Sequence, residues 1–163
     1  DTYTVTGAFA KEYRLGSLAD LAHVDQPLKV AANSEFGSRP YGPAGLQATY
    51  GVSVELVPVE DSGGPLTVRA LTDGTVQLAD IYSADPAIAR EGLVSLDDPQ
   101  NLILPQRITP LVSRRVDTAA AEAIERVNDR LTTQDLIELN TRSVNEQLGA
   151  AQIVSDWLAR GSK

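Results

Sequence analysis

The stretch "VEDSGGPLTV", Val59–Val68, decides how the rest of the chain is read. Before it, "VSVELVPV" (Val52–Val59) shows the β-branched alternation of a strand. After it, "PLTVRALTDG" reads as a helix, with Pro65 suited to the first turn and Gly74 to the end. The stretch is therefore a glycine-bearing loop between a strand and a helix. Gly63 and Gly64 let backbone amides approach a ligand closely, and the helix start beyond them favours an anionic group. A plain strand–turn–helix connection without a ligand fits the same letters equally well.

Working outward, the same alternation of element types repeats. Tyr3 to Val5 alternates like a short strand, and "AFAKEY" and "SLADLA" read as short helices, the second with Ser17 as N-cap. "LKVAA" (Leu28–Ala32) is an apolar strand that runs into the polar loop "NSEFGSRPYGP". "AGLQATYG" is a helix stopped by Gly51, and "VQLADIY" (Val76–Tyr82) is a further strand. "DPAIARE" is a short helix capped by Asp85, "GLVSL" another strand, and "DDPQN" a turn. "RITPLVSRRV" is extended, with Pro110 marking an edge or crossover position. From Thr118 onward the periodicity is helical throughout, with apolar positions such as Ile153, Val154, Trp157 and Leu158.

Strand–helix–strand–helix–strand order predicts a mostly parallel α/β sheet with right-handed crossovers, followed by a helical C-terminal segment. Ligands in such sheets sit outside the carboxyl ends of the strands. The loops "NSEFGSR", "EDSGG" and "IYSADP" are thus expected to line one edge, although far apart in sequence.

Composition bounds the partners. The 163 residues carry a net charge of −8, which argues against nucleic acid or an anionic membrane surface and suits a cationic, zwitterionic or neutral ligand. There is no cysteine, so disulfides, thiol chemistry and sulfur-ligated metals are excluded. Asp20, Asp61, Asp80, Asp85, Asp97 and Asp98 show no metal-ligand spacing. No cofactor is expected. No signal peptide or long apolar run is present, and with no methionine at position 1 the chain reads as a processed product or a fragment.

The centre of the opening stretch, Asp61-Ser62-Gly63-Gly64-Pro65-Leu66, also matches the nucleophile segment of trypsin-like serine proteases. A nucleophilic Ser62 needs an imidazole base oriented by a carboxylate. His23 is the only histidine, too near Ser62 for the two β-barrels of that fold, and the surrounding pattern is βα. A serine hydrolase using Ser62 stands as the alternative function. In the binding reading, Arg39 captures a carboxylate bidentately and Tyr82 and Tyr3 wall a cation. Taken singly, each is equally a loop arginine or a packed tyrosine; convergence on one cleft separates the readings.

The segments "DTYTVTGAFAKEYRLGSLADLA", "SEFGSRPYGPAGLQATYG", "DSGGPLTVRALTDGTVQLADIYSADPAI" and "LPQRITPLV", with "LTTQDLIELN" in the tail, resemble the substrate-binding proteins of ABC importers for glycine betaine, carnitine and choline. The resemblance spans nearly the whole chain. It implies a type II periplasmic-binding-protein-like fold of two α/β lobes joined by crossovers, an extracytoplasmic location and a membrane permease as partner. It implies a small quaternary-ammonium or zwitterionic solute held by an aromatic cage and an arginine, and no enzymatic role. Carried over by position, Tyr3 and Tyr82 match cage tyrosines and Arg39 the carboxylate-binding arginine, while Asp1 falls on a polar position often occupied by Asn. Asp61 and Ser62 shape the cleft wall. Gln106 of "LPQRITP" stands where the family has a further cage tyrosine; it offers hydrogen bonds but no π face. Residues 4–106 would form the second lobe and 107–163 the return to the first. Without the first lobe's sheet the helical tail would expose apolar faces such as Ile153 and Trp157, so it is expected to repack on the second lobe, pair with another chain or meet a missing first-lobe segment. A structural or oligomerising unit that exchanges this tail between chains is the remaining alternative.

Overall fold

The computed structural model describes residues 1–160. They form two compact units, the first from Asp1 to Leu104 and the second from Pro105 onward.

The first unit is built on five strands: β1 (Thr2–Thr6), β2 (Leu28–Ala32), β3 (Val54–Pro58), β4 (Leu78–Ile81) and β5 (Leu93–Ser95). They lie in the order β3-β2-β4-β1-β5. β2 pairs in parallel with both β3 and β4, as the alternating pattern predicts. β1 departs from that pattern. It is inserted antiparallel between β4 and β5, so four strands run one way and β1 against them. Such a pairing joins residues some eighty positions apart (Thr2 with Ile81), and local periodicity carries no trace of it. The expected alternation of Tyr3–Val5 also fails: β1 lies inside a sheet with a core on each face, and Tyr3, Thr4 and Val5 are all sealed.

Side-chain alternation along the strands feeds two cores. Leu28, Val30 and Leu78 pack on one face with Leu46 and Tyr50 of α2 (Pro43–Tyr50). Ala31, Ala79 and Ile81 pack on the other with Val68 and Leu71 of α3 (Pro65–Thr72) and Ala87 of α4 (Ala87–Arg90). α1 (Gly7–Tyr13) adds Ala10 to the first core; it takes α1, α2, α3 and α4 together to cover both faces of the sheet. α2 ends at Gly51 in the left-handed region, as expected of a helix stop. "SLADLA" forms a 3₁₀ helix (Leu18–His23). Ser17 is its N-cap, and the Asp20 carboxylate reaches back to accept from the Ser17 amide at 2.7 Å and the Ser17 hydroxyl at 2.9 Å.

In the second unit, residues 105–113 form no regular element; the "RITPLVSRRV" stretch pairs with no strand. Three helices follow: α5 (Thr118–Arg130), α6 (Thr133–Val144) and α7 (Ala150–Arg160). Ile153 and Trp157 are buried. The Trp157 indole donates to Asp135 Oδ1 at 2.9 Å, and the Arg130 guanidinium lies over its ring at 5.1 Å. Arg142 ties α6 to Asp156 of α7 at 2.7 Å. Ile108, Leu111, Val112, Ile124, Val127, Val144, Val154 and Leu158 do stand exposed in this unit.

Candidate functional site

At the carboxyl ends of β2, β3 and β4 lies a small open hollow. Asn33, Glu35 and Arg39 come from the loop after β2, Ser62 and Gly63 from the loop after β3, and Tyr82 from the end of β4. The three loops singled out in the sequence do converge on one place. Asp1 joins them because β1 runs antiparallel: its first residue lies beside the last residues of β4. Asp80, Phe36 and Tyr41 complete the lining.

Arg39 and Tyr82 both reach the hollow. Tyr82 is 52% exposed. Arg39 is held by Glu35 of its own loop at 2.7 Å. That pair is exposed on both sides and contributes little to stability. It presents the guanidinium with a carboxylate already on it.

Tyr3 does not line the hollow. It is 1% exposed and packs edge-on against Phe36, with ring centroids 5.6 Å apart. Its hydroxyl donates to the Tyr41 carbonyl at 2.8 Å. Burial, with the charge of Asp80 beside it, pushes its phenol pKa up. The second tyrosine of the hollow, beside Tyr82, is Tyr41, whose hydroxyl donates to Asp1 Oδ2 at 2.8 Å. Its signal in the sequence was only its place in "SRPYGP", one loop residue among several.

Asp61 and the helix start behind it are also used differently from the expectation. The Asp61 carboxylate accepts from the amides of Leu66 at 2.6 Å and Thr67 at 3.2 Å and from the Thr67 hydroxyl at 2.5 Å. It occupies the amino end of α3 itself, so that end is closed to a ligand anion. Burial raises its carboxyl, and the bonds from Thr67 and Leu66 outweigh this and hold it below the ordinary range. Gly63 (φ +76°) sits against β4; a methyl group there would fall 2.8 Å from the Asp80 carbonyl oxygen. Its lack of a side chain therefore serves close packing of loop on strand. Ser62 does line the hollow, pinned from both sides by Asn33: its amide donates to Asn33 Oδ1 at 2.9 Å, and its hydroxyl accepts from Asn33 Nδ2 at 3.3 Å. The His23 ring contacts the Asp20 carbonyl oxygen instead, so the hydroxyl partner of Ser62 is an amide and no base.

Asp80 was the residue that motif reasoning passed over. It lies opposite Tyr3 in the β1–β4 ladder. Its Oδ1 is closed to water and has no hydrogen-bond partner, the one buried side-chain polar atom so placed among the described residues. Desolvation pushes its carboxyl up to about 6. A charged residue inside the apolar run "VQLADIY" was the available signal, since unpaired acids are rarely buried. Gln106 lies in the second unit, exposed, in a depression with Arg107, Asn128 and Thr132. Among the described residues no cluster of acids and histidines could hold a metal ion.

An open sheet sheathed by helices on both faces, with a polar hollow at the carboxyl ends of its parallel strands, is the lobe architecture of type II periplasmic-binding-protein-like folds. The crystal structure of a glycine betaine/carnitine/choline ABC transporter matches with a TM-score of 0.70 at 20% identity, over 98% of this chain and 59% of its own. That of apo YehZ from Escherichia coli matches with a TM-score of 0.63 at 26% identity, over 99% of this chain and 61% of its own. In sequence, the glycine betaine-binding protein YehZ of Escherichia coli (strain K12) is 28% identical over 168 residues, 96% of this chain and 55% of that protein. The family model for the substrate binding domain of ABC-type glycine betaine transport systems matches residues 1–160. The chain belongs to that family. It spans little more than half the length of these relatives.

Proposed function

We propose that the first unit is one lobe of an extracytoplasmic binding protein that delivers a small quaternary-ammonium or zwitterionic solute to an ABC permease. The solute is of the betaine, choline or carnitine kind. The observation that carries this reading is the meeting of Arg39 and Tyr82 in one hollow, drawn from loops that the sheet topology alone brings together. An exposed tyrosine face attracts a trimethylammonium group, by about 0.5–1 kcal/mol when wet and about 2 when a closing lobe dries it. Arg39 offers its fork to a carboxylate in exchange for Glu35. Membership of the betaine-transport family and the net charge of −8 support the same ligand class. In this reading 4–106 is the second lobe and 107–163 the return to the first, and Gln106 contributes a hydrogen bond from that return segment. A first-lobe segment covers the bare apolar residues of the second unit, such as Leu111, at 99% exposure.

Calorimetry on the full-length protein with glycine betaine, choline, carnitine and ergothioneine tests the reading. At least one is expected to bind. Tyr82→Ala should weaken that ligand by roughly fivefold to thirtyfold, as loss of about 1–2 kcal/mol requires. Binding by none of the four, or indifference to both Arg39→Ala and Tyr82→Ala, would remove it.

A further inference from the structure

The charged side chains of the hollow are not equally satisfied. Arg39 is answered by Glu35 at 2.7 Å. Asp1 accepts a bond from Tyr41 at 2.8 Å. Asp80 is the exception, with its Oδ1 shut from water and unpartnered. Tyr3, its neighbour across the ladder, does not answer it either, since that hydroxyl is spent on the Tyr41 carbonyl. Three carboxylates, Asp1, Glu35 and Asp80, share the hollow with the Arg39 guanidinium, and the amino group of Asp1 acts on Asp80 through its charge without hydrogen-bonding to it.

A half-buried carboxylate with one oxygen shut from water and unpaired is unfavourable, and a cation brought against it relieves the cost. A quaternary ammonium has no N–H to donate. It answers a carboxylate through charge alone, and in a hollow drier than bulk water that attraction is several times stronger. Tyr82 stands at the same hollow and adds its π face to the same cation. A ligand carboxylate meets the opposite situation. Its partner Arg39 is already occupied, and two further acids stand around it.

We propose that Asp80 makes this hollow select a net cation of the choline type over a carboxylate-bearing zwitterion of the betaine type. The inference rests on the quaternary-ammonium reading and narrows it. It assigns the choice of ligand to an acid in the strand and leaves Arg39 a lesser part.

The test is titration of choline and of glycine betaine into the full-length protein and into its Asp80→Asn and Asp80→Glu variants, at neutral pH. The unaltered protein should bind choline about tenfold or more tightly than betaine, a difference of about 1.4 kcal/mol. Asp80→Asn should erase most of that preference by weakening choline, with betaine changed by less than about threefold. Asp80→Glu, which keeps the charge, should retain part of the preference. Betaine binding as tightly as choline in the unaltered protein sinks the inference without reference to any variant, and so does an equal effect of Asp80→Asn on both ligands. Binding of neither ligand removes the quaternary-ammonium reading itself and this inference with it, a different result from binding without selectivity.

Discussion

From Asp1 to Leu104 apolar side chains are sealed on both faces of a sheet; from Pro105 onward, beyond the buried Ile153 and Trp157, they stand largely in solvent. The first unit buries Val30, Leu46 and Leu78 completely. In the second, Leu111 is 99% exposed and Ile108 54%. What holds the second unit's helices is polar and local. Thr132 and Asp135 cap α6 reciprocally, Asp117 caps α5, and Arg142 and Arg160 bridge α6 and α7 to Asp156 and Glu138. Exposed ion pairs and caps contribute about 1 kcal/mol or less apiece, whereas a sealed leucine contributes several times that. A unit of the second kind has its helices specified locally and its packing left open to a covering surface.

The sharpest break of this contrast is a pair of truncations. Leu46→Ala should destabilise the first unit by about 3 kcal/mol in urea denaturation, and Leu111→Ala should stay within about 0.5 kcal/mol. If the two came out equal, the distinction between a sealed and an open unit would fail.

Acid should act in opposite directions through one carboxyl of each unit, Asp80 and Asp135. The Asp80 carboxyl, at about 6 against an ordinary 3.8, holds its proton more tightly in the folded chain. Its favourable contribution is full below about pH 4 and lost as pH rises through 6, leaving a penalty on the order of 2–3 kcal/mol at neutral pH. Asp80→Asn should therefore raise the melting temperature at pH 7.5 and leave it unchanged at pH 4. Asp135 in the second unit runs the other way: hydrogen bonds from Thr132 and then Trp157 hold its carboxyl at about 2. Its contribution is present above 3.8 and lost as pH falls towards 2. Helix content measured by circular dichroism between pH 4 and 2 should fall, and less steeply in Asp135→Asn. The smallest effect is that of the cap itself: Thr132→Ala should destabilise α6 by about 1 kcal/mol, read as loss of helix signal at equal temperature.

Much of the first unit was legible because its instructions are local. β2 and β3 announce themselves as apolar or β-branched runs, Gly51 and Pro65 punctuate the helices, and parallel topology gathers the loops after β2, β3 and β4. Arg39 and Tyr82 followed from that rule without any further information. What escaped is non-local. Nothing in "TYTVT" says that β1 lies between β4 and β5, so neither the burial of Tyr3 nor the arrival of Asp1 could be read from periodicity. Asp61 was misread because an acid just before a helix serves a ligand site and a cap with the same spelling; the bonds to Leu66 and Thr67 decide for the cap. Asp80 escaped because motifs are sought as clusters, and this acid matters by being alone.

The ion pair of Glu35 and Arg39 carries a kinetic consequence. Glu35 is four residues from Arg39 on the same loop and so acts as a tethered competitor, present at an effective concentration of about millimolar for a short flexible link. Under the proposed binding mode, a solute carboxylate would have to exchange with it, and apparent affinity would scale with the fraction of time Arg39 stands free. The tether also speeds departure, because the guanidinium passes from one carboxylate to another without standing bare between them. Salt loosens an exposed pair of this kind, so the competitor weakens as ionic strength rises, and solute affinity at Arg39 falls less steeply with salt than it would at an unoccupied arginine.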